Sequence, residues 1–149
     1  MKKYIGILSV MYIIAIIIKL KDSKKSFSQH LEEYKELKSR LKLVGQQQNP
    51  FAMMKFLNSL FYFFLFMYYI AVLFFFKDFL VLDFFTYLLI IVSAYRLGRK
   101  LLINSLDDFE ETVKYEKNNY QKKQKFDFLI GLIEFAYAFN ALSLISFYY

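Results

Sequence analysis

The residue best placed for chemistry is Glu134, a carboxyl group inside a long apolar run near the C-terminus. It follows Phe128 by about 9 Å along a helix, and an ionised carboxylate at such depth costs a few kcal/mol unless it is paired, solvated or protonated. It could relay protons or cations. It could instead be a neutral carboxyl that hydrogen-bonds Asn140 or a tyrosine of a neighbouring helix. The sequence favours this second, structural role.

The same run contains two further intramembrane polar candidates, Asn140 and Ser143. Small residues share one helix face with Glu134, at spacings of three or four: Gly131, Ala138 and Ala141. Small residues and polar donors on one face allow helices to approach closely in lipid. We therefore expect this helix to be the most tightly packed in the protein.

Other reactive groups are scarce. The chain has no Cys and one His, which excludes disulfides, thiolate metal sites and multi-histidine metal sites. Four acidic residues at 107–111 fit the exposed start of a helix better than a metal site, because one helix rarely supplies enough ligands. No nucleophile triad or glycine-rich phosphate loop is visible. The sequence predicts no catalytic residue, no metal, no cofactor and no enzymatic activity.

Four apolar blocks dominate the chain, at 4–20, 56–76, 79–97 and 128–147. A helix needs roughly 17–25 residues to cross the hydrocarbon core of a bilayer, so each block is long enough. The predicted fold is an all-α integral membrane protein with about four transmembrane helices in a single domain, 1–149. The first block is interpreted as a retained anchor, and the second and third as a hairpin that turns within 77–83.

The basic residues predict the orientation. All of the 20 Lys and Arg residues except Lys2, Lys3 and Lys77 lie in two connectors, 19–55 and 96–125. Basic loops stay in the cytoplasm, so both connectors are predicted to be cytoplasmic and both termini to face the opposite side. This distribution also explains the net charge of +7 without nucleic acid. Basic residues at the membrane edge are expected to reach lipid headgroups: Arg96, Arg99 and Lys100.

Each connector contains a predicted amphipathic helix, at approximately 24–44 and 105–121. Gly45 is a predicted stop for the first helix, 46–48 a loop and Asn49 a cap for the next helix, and Asn104 or Ser105 a cap for the second. The apolar positions recur at spacings of three and four. These stripes are the candidate partner-binding surface: Phe27, Leu31, Tyr34 and Leu41 in the first, and Leu106, Phe109 and Val113 in the second. Alternatively, the two stripes cover each other.

The leading functional hypothesis is a small non-catalytic, structural or accessory subunit of a larger membrane complex. Its partners would be the lipid bilayer and other membrane subunits or further copies of itself, with no nucleic acid. One alternative is a homo-oligomeric pore or ion-conducting effector. A third is an immunity-type protein that binds a membrane-active toxin or its receptor. Few Gly and Pro with many Lys, Phe and Tyr indicate an AT-rich genome. We expect a bacterial cytoplasmic membrane, with the mitochondrial inner membrane as the alternative.

The 13 Tyr and 19 Phe residues form the last unusual feature of the composition. Aromatic side chains are common on lipid-facing helix surfaces and at membrane interfaces. The sequence alone therefore predicts that these rings lie on the outside of the bundle.

Overall fold

A computed structural model describes residues 2–44 and 50–148, and over these ranges the regular structure is entirely α-helical. The helices are α1 (Lys2–Asp22), α2 (Phe27–Val44), α3 (Pro50–Phe75), α4 (Leu80–Leu101) and α5 (Leu106–Tyr148). Four of them, α1, α3, α4 and α5, are long and apolar enough to cross a membrane. The prediction of an all-α protein with about four candidate spans is confirmed.

The four candidate spans pack as two pairs. The most extensive contact is between α1 and α5, followed by the hairpin of α3 and α4, and weaker contacts of α1 with α3 and of α4 with α5 join the pairs. The hairpin turn is short: the amide of Phe79 donates to the carbonyl of Phe76 at 3.0 Å, and α4 begins at Leu80. The sequence allowed the turn to reach Asp83, but that residue lies in the first turn of α4.

The second connector is helical and forms the first part of α5, from Leu106. A kink at Asn119, where φ is −117° and ψ is 15°, separates it from the candidate span that follows. No Gly or Pro occurs between 106 and 130 to end the helix. The predicted cap is present: the amide of Asp108 donates to Ser105 Oγ at 3.2 Å, and the amide of Ser105 donates to Asp108 Oδ2 at 3.1 Å.

The apolar stripes of α2 and the first part of α5 cover each other. The Tyr34 ring packs edge-on against Phe109 with centroids 5.5 Å apart, and Phe27 packs similarly against Tyr120 at 5.2 Å. Leu41 and Phe109 are buried, and the other stripe residues are half-buried: Phe27, Leu31, Tyr34, Leu106 and Val113. The predicted stop at Gly45, the loop at 46–48 and the cap at Asn49 lie outside the described residues.

Candidate functional site

The centre of the bundle contains a cluster of tyrosines that sequence analysis placed on the lipid-facing surface. Tyr12 of α1, Tyr68 and Tyr69 of α3 and Tyr137 of α5 pack with ring centroids 5.5–6.3 Å apart. Three of them are at most 3% exposed: Tyr68, Tyr69 and Tyr137. The expectation that the aromatic residues are lipid-facing bulk is wrong for this cluster, which we call the tyrosine core.

Hydrogen bonds explain why these tyrosines turn inward. Tyr12 and Tyr69 join their hydroxyls at 2.7 Å. Tyr68 bonds Ser9 of α1 at 2.8 Å, and Tyr137 bonds Thr86 of α4 at 2.8 Å. A buried phenol has no water to bond, so the stable position for its hydroxyl is opposite a polar group on a neighbouring helix. The buried serine and threonine between apolar residues were the sequence signal for this core.

Beside the tyrosine core lies a cluster of four charged side chains, which we call the ion cluster. Lys19 Nζ of α1 donates to Glu134 Oε2 at 2.5 Å. Arg96 of α4 donates to Glu134 Oε1 at 3.2 Å and to Asp127 at 2.9 Å. The Glu134 side chain is 4% exposed, against 19% for Arg96 and 34% for Lys19. The cluster joins α1, α4 and α5 and has two positive and two negative groups.

The position of the ion cluster follows from the direction of the helices. Lys19 lies in the last turn of α1, Arg96 in the last turns of α4, and Glu134 early in the apolar part of α5. These three helix regions meet at the end of the bundle that carries the connectors, which we call the basic end. The expected partners of Glu134 are therefore wrong, and so is the expectation that Arg96 reaches lipid headgroups.

The other two intramembrane candidates do not join the ion cluster. Asn140 is exposed on α5, and its side-chain amide donates to the carbonyl of Ala136, one turn earlier, at 2.8 Å. Ser143 is half-buried on the same helix. Glu134 therefore faces the interior of the bundle, whereas Asn140 lies on the outer surface of the same helix.

The expected close packing of α5 is present. A larger share of residues is buried in its apolar part than in the other three candidate spans, and Ala138 and Ala141 have no exposed surface. A Cβ atom added at Gly131 would lie 2.7 Å from Leu20 Cδ2 and 3.2 Å from Leu20 Cγ. Gly131 therefore permits the approach of α1 that brings Lys19 to Glu134.

The paired connectors carry their own electrostatic contacts. Lys38 of α2 forms an ion pair with Glu110 of α5, and this contact holds the pKa of Glu110 below its usual range. Tyr34 donates to Glu116 at 2.6 Å; burial, together with that carboxylate, raises the pKa of the phenol. Backbone and hydroxyl donors of the α5 cap lower the pKa of Asp108. These acidic residues stabilise the connectors.

Within residues 2–44 and 50–148, no cluster of three or more His, Asp or Glu residues could hold a metal ion, and every buried side-chain N or O atom has a hydrogen-bond partner. Comparison with protein-family models, curated proteins and solved structures finds no match to this chain.

Proposed function

We propose that this chain is an integral membrane protein that acts as a non-catalytic accessory subunit, and that it binds a helix of another membrane protein. The observation that carries this proposal is the exposed amide of Asn140. It lies about 9 Å further along α5 than Glu134, towards the middle of the apolar segment. Tyr137, about one turn earlier on the same helix, faces inward in the tyrosine core.

An exposed amide in hydrocarbon is unfavourable by itself. Asn140 donates one hydrogen bond to Ala136, and the described residues provide no second partner for its remaining N–H or its carbonyl oxygen. Each unsatisfied polar group in the bilayer core costs several kcal/mol. A facing helix with a polar side chain would satisfy these atoms, at about 0.6–2 kcal/mol per interhelical hydrogen bond.

The neighbours of Asn140 fit a helix partner better than a water-filled pore. Ala136 and Ser143 lie about one turn to either side and allow a second backbone to approach closely. Large apolar side chains flank this face, with Phe139 54% and Leu132 44% exposed. One amide between such residues is a poor lining for an aqueous lumen, which argues against the homo-oligomeric pore.

The orientation belongs to the same proposal. The basic end, with both connectors, is proposed to face the cytoplasm of a bacterial cell, because basic segments are retained on that side. Single cysteines can be introduced into this Cys-free chain and labelled from outside with an impermeant reagent. Positions 35 and 117 should be protected and position 77 labelled. Labelling of the first two in intact cells would reverse the orientation.

The partner is tested by comparing Asn140→Ala with Ser146→Ala. Ser146 is an exposed polar residue on the same helix that also bonds a backbone carbonyl, Leu142 O, at 3.0 Å, so it is a matched control. Each variant is purified in mild detergent from its native membrane, and the composition and mass of the complex are measured. We expect the wild type and Ser146→Ala to retain a second polypeptide that Asn140→Ala loses. A monomer, or an assembly of this chain alone, would contradict the proposal.

A further inference from the structure

Two lysines at the basic end are held by neutral amides instead of carboxylates. Lys55 of α3 donates to Asn104 Oδ1, just beyond the end of α4. Lys100 of α4 donates back to Asn58 Oδ1 of α3 at 3.3 Å. The two contacts cross the gap between the helices in opposite directions. Asn58 follows Lys55 by about one turn and Asn104 follows Lys100 by about one turn, so the two contacts are neighbours along the hairpin. Neither amide neutralises its lysine.

Three other cations that bond side chains of a different helix have acidic partners within 4.0 Å: Lys19, Lys38 and Arg96. The charged side chains that act on Lys100 are themselves cations: Arg96, Lys19 and Lys123. Lys55 interacts electrostatically with one carboxylate, that of Asp108. That carboxylate, however, accepts the backbone N–H groups of Asn104 and Ser105 at the α5 cap. The site therefore has an excess of positive charge.

The surroundings identify the kind of anion that fits. Lys100 is exposed, with its ammonium group 5.5 Å from the centroid of the Tyr62 ring. On α3, the residues that follow Lys55 expose large apolar side chains along the outer surface of the span: Phe56, Leu57, Leu60 and Phe61. A positively charged, polar end directly next to an apolar helix surface matches a molecule with a phosphate and an acyl chain.

We infer that Lys55 and Lys100, positioned by Asn104 and Asn58, bind the phosphate headgroup of an anionic phospholipid whose acyl chain lies along α3. The two ammonium groups provide charge-assisted hydrogen bonds to the phosphate oxygens. The amides hold the long lysine side chains in place, so less side-chain freedom is lost when the lipid binds. This site lies on the α3–α4 hairpin and does not depend on the partner proposed for the Asn140 face of α5.

The test uses the full chain in a neutral maltoside detergent, titrated with dioleoyl phosphatidylglycerol and, separately, with the zwitterionic dioleoyl phosphatidylcholine. Lipid adducts are measured by native mass spectrometry. The wild type should prefer the anionic lipid. Lys55→Gln/Lys100→Gln should bind it roughly ten- to thirtyfold more weakly, whereas Lys55→Arg/Lys100→Arg should retain binding, because it keeps both charges.

The matched control is Lys114→Gln/Lys117→Gln, which removes the same charge from exposed positions of α5. It should lose less than about threefold in affinity, because charges away from the site act only through a screened field. Equal losses in the two Gln variants would overturn the proposal, since binding would then depend on net charge alone. Full displacement of the lipid by millimolar inorganic phosphate would also overturn it, because the site would then bind a free anion.

Discussion

Lys19 and Glu134 are separated by 115 residues in the chain, yet Lys19 Nζ lies 2.5 Å from Glu134 Oε2. This contact joins the first candidate span to the last. Arg96 donates to the other oxygen of the same carboxyl group, so two cations from different helices contact Glu134. The carboxylate therefore acts as a charged link between three helices.

Replacing Glu134 with Gln should destabilise the bundle. The amide removes the charge but not the cations, so Lys19 and Arg96 would be left partly buried without full compensation. Breaking a fully buried ion pair costs about 3–5 kcal/mol. Since Lys19 is about a third exposed, we expect a smaller loss, about 1–3 kcal/mol. Thermal unfolding in detergent, followed by far-ultraviolet circular dichroism, measures it.

Two further variants make the Glu134 prediction specific. Glu111→Gln removes a carboxylate from an exposed position of α5 and should leave the melting temperature unchanged. Lys19→Gln combined with Glu134→Gln should recover part of the lost stability, because one uncompensated charge is removed as well. A single Glu134→Gln variant as stable as the wild type would show that the contacts of Glu134 with Lys19 and Arg96 contribute little to stability.

Replacement of a glycine by alanine should change the stability in opposite directions in α4 and in α5. Gly98→Ala meets no atom within 4 Å, so better helix propensity should stabilise the protein by about 0.5–1 kcal/mol. Gly131→Ala would crowd Leu20, and we expect a net loss of about 1 kcal/mol despite the same propensity gain. Melting temperatures of both variants check this, and a stabilised Gly131→Ala variant would show that α1 can shift without penalty.

The sequence predicted the features that depend on local composition. Hydropathy gave the four candidate spans, and apolar spacing gave the stripes that bring Tyr34 to Phe109. It did not predict the partners of Glu134. The position of Glu134 in the bundle was inferred only from the residues of its own helix. It could not say that the ends of α1 and α4 lie beside that point. One signal was available: Lys19 and Arg96 each lie within a turn or two of the end of an apolar block.

Leu41 tests the pairing of the connectors. It lies in α2 and is 7% exposed, so Leu41→Asp should lower the stability by about 1.5–3 kcal/mol through lost burial of the side chain. Leu43 is 69% exposed on the same helix, and Leu43→Asp is the matched control. Hydrogen exchange of residues 27–43 should accelerate in the first variant and not in the second. Equal exchange in both would mean that the α2 stripe contributes little to stability.

The ion pair of Lys38 with Glu110 predicts a dependence on pH. Contact with Lys38 lowers the pKa of Glu110 from its ordinary 4.5. A lowered acid pKa means that the contact is fully stabilising above about pH 4.5 and is lost as the pH falls through the lowered value. In Lys38→Gln, the pKa of Glu110 should rise towards 4.5, as measured by nuclear magnetic resonance of its carboxyl carbon. An unchanged pKa would remove Lys38 as the cause.

The most direct test of the accessory-subunit proposal is photo-crosslinking in native membranes from position 136, next to Asn140. A photoreactive amino acid replaces Ala136 in one variant and, as a control, Phe84 in another; Phe84 is 64% exposed on α4. The proposal predicts a crosslink from position 136 to a different polypeptide and none from position 84. No adduct at position 136, adducts of this chain with itself alone, or equal adducts at both positions would contradict it.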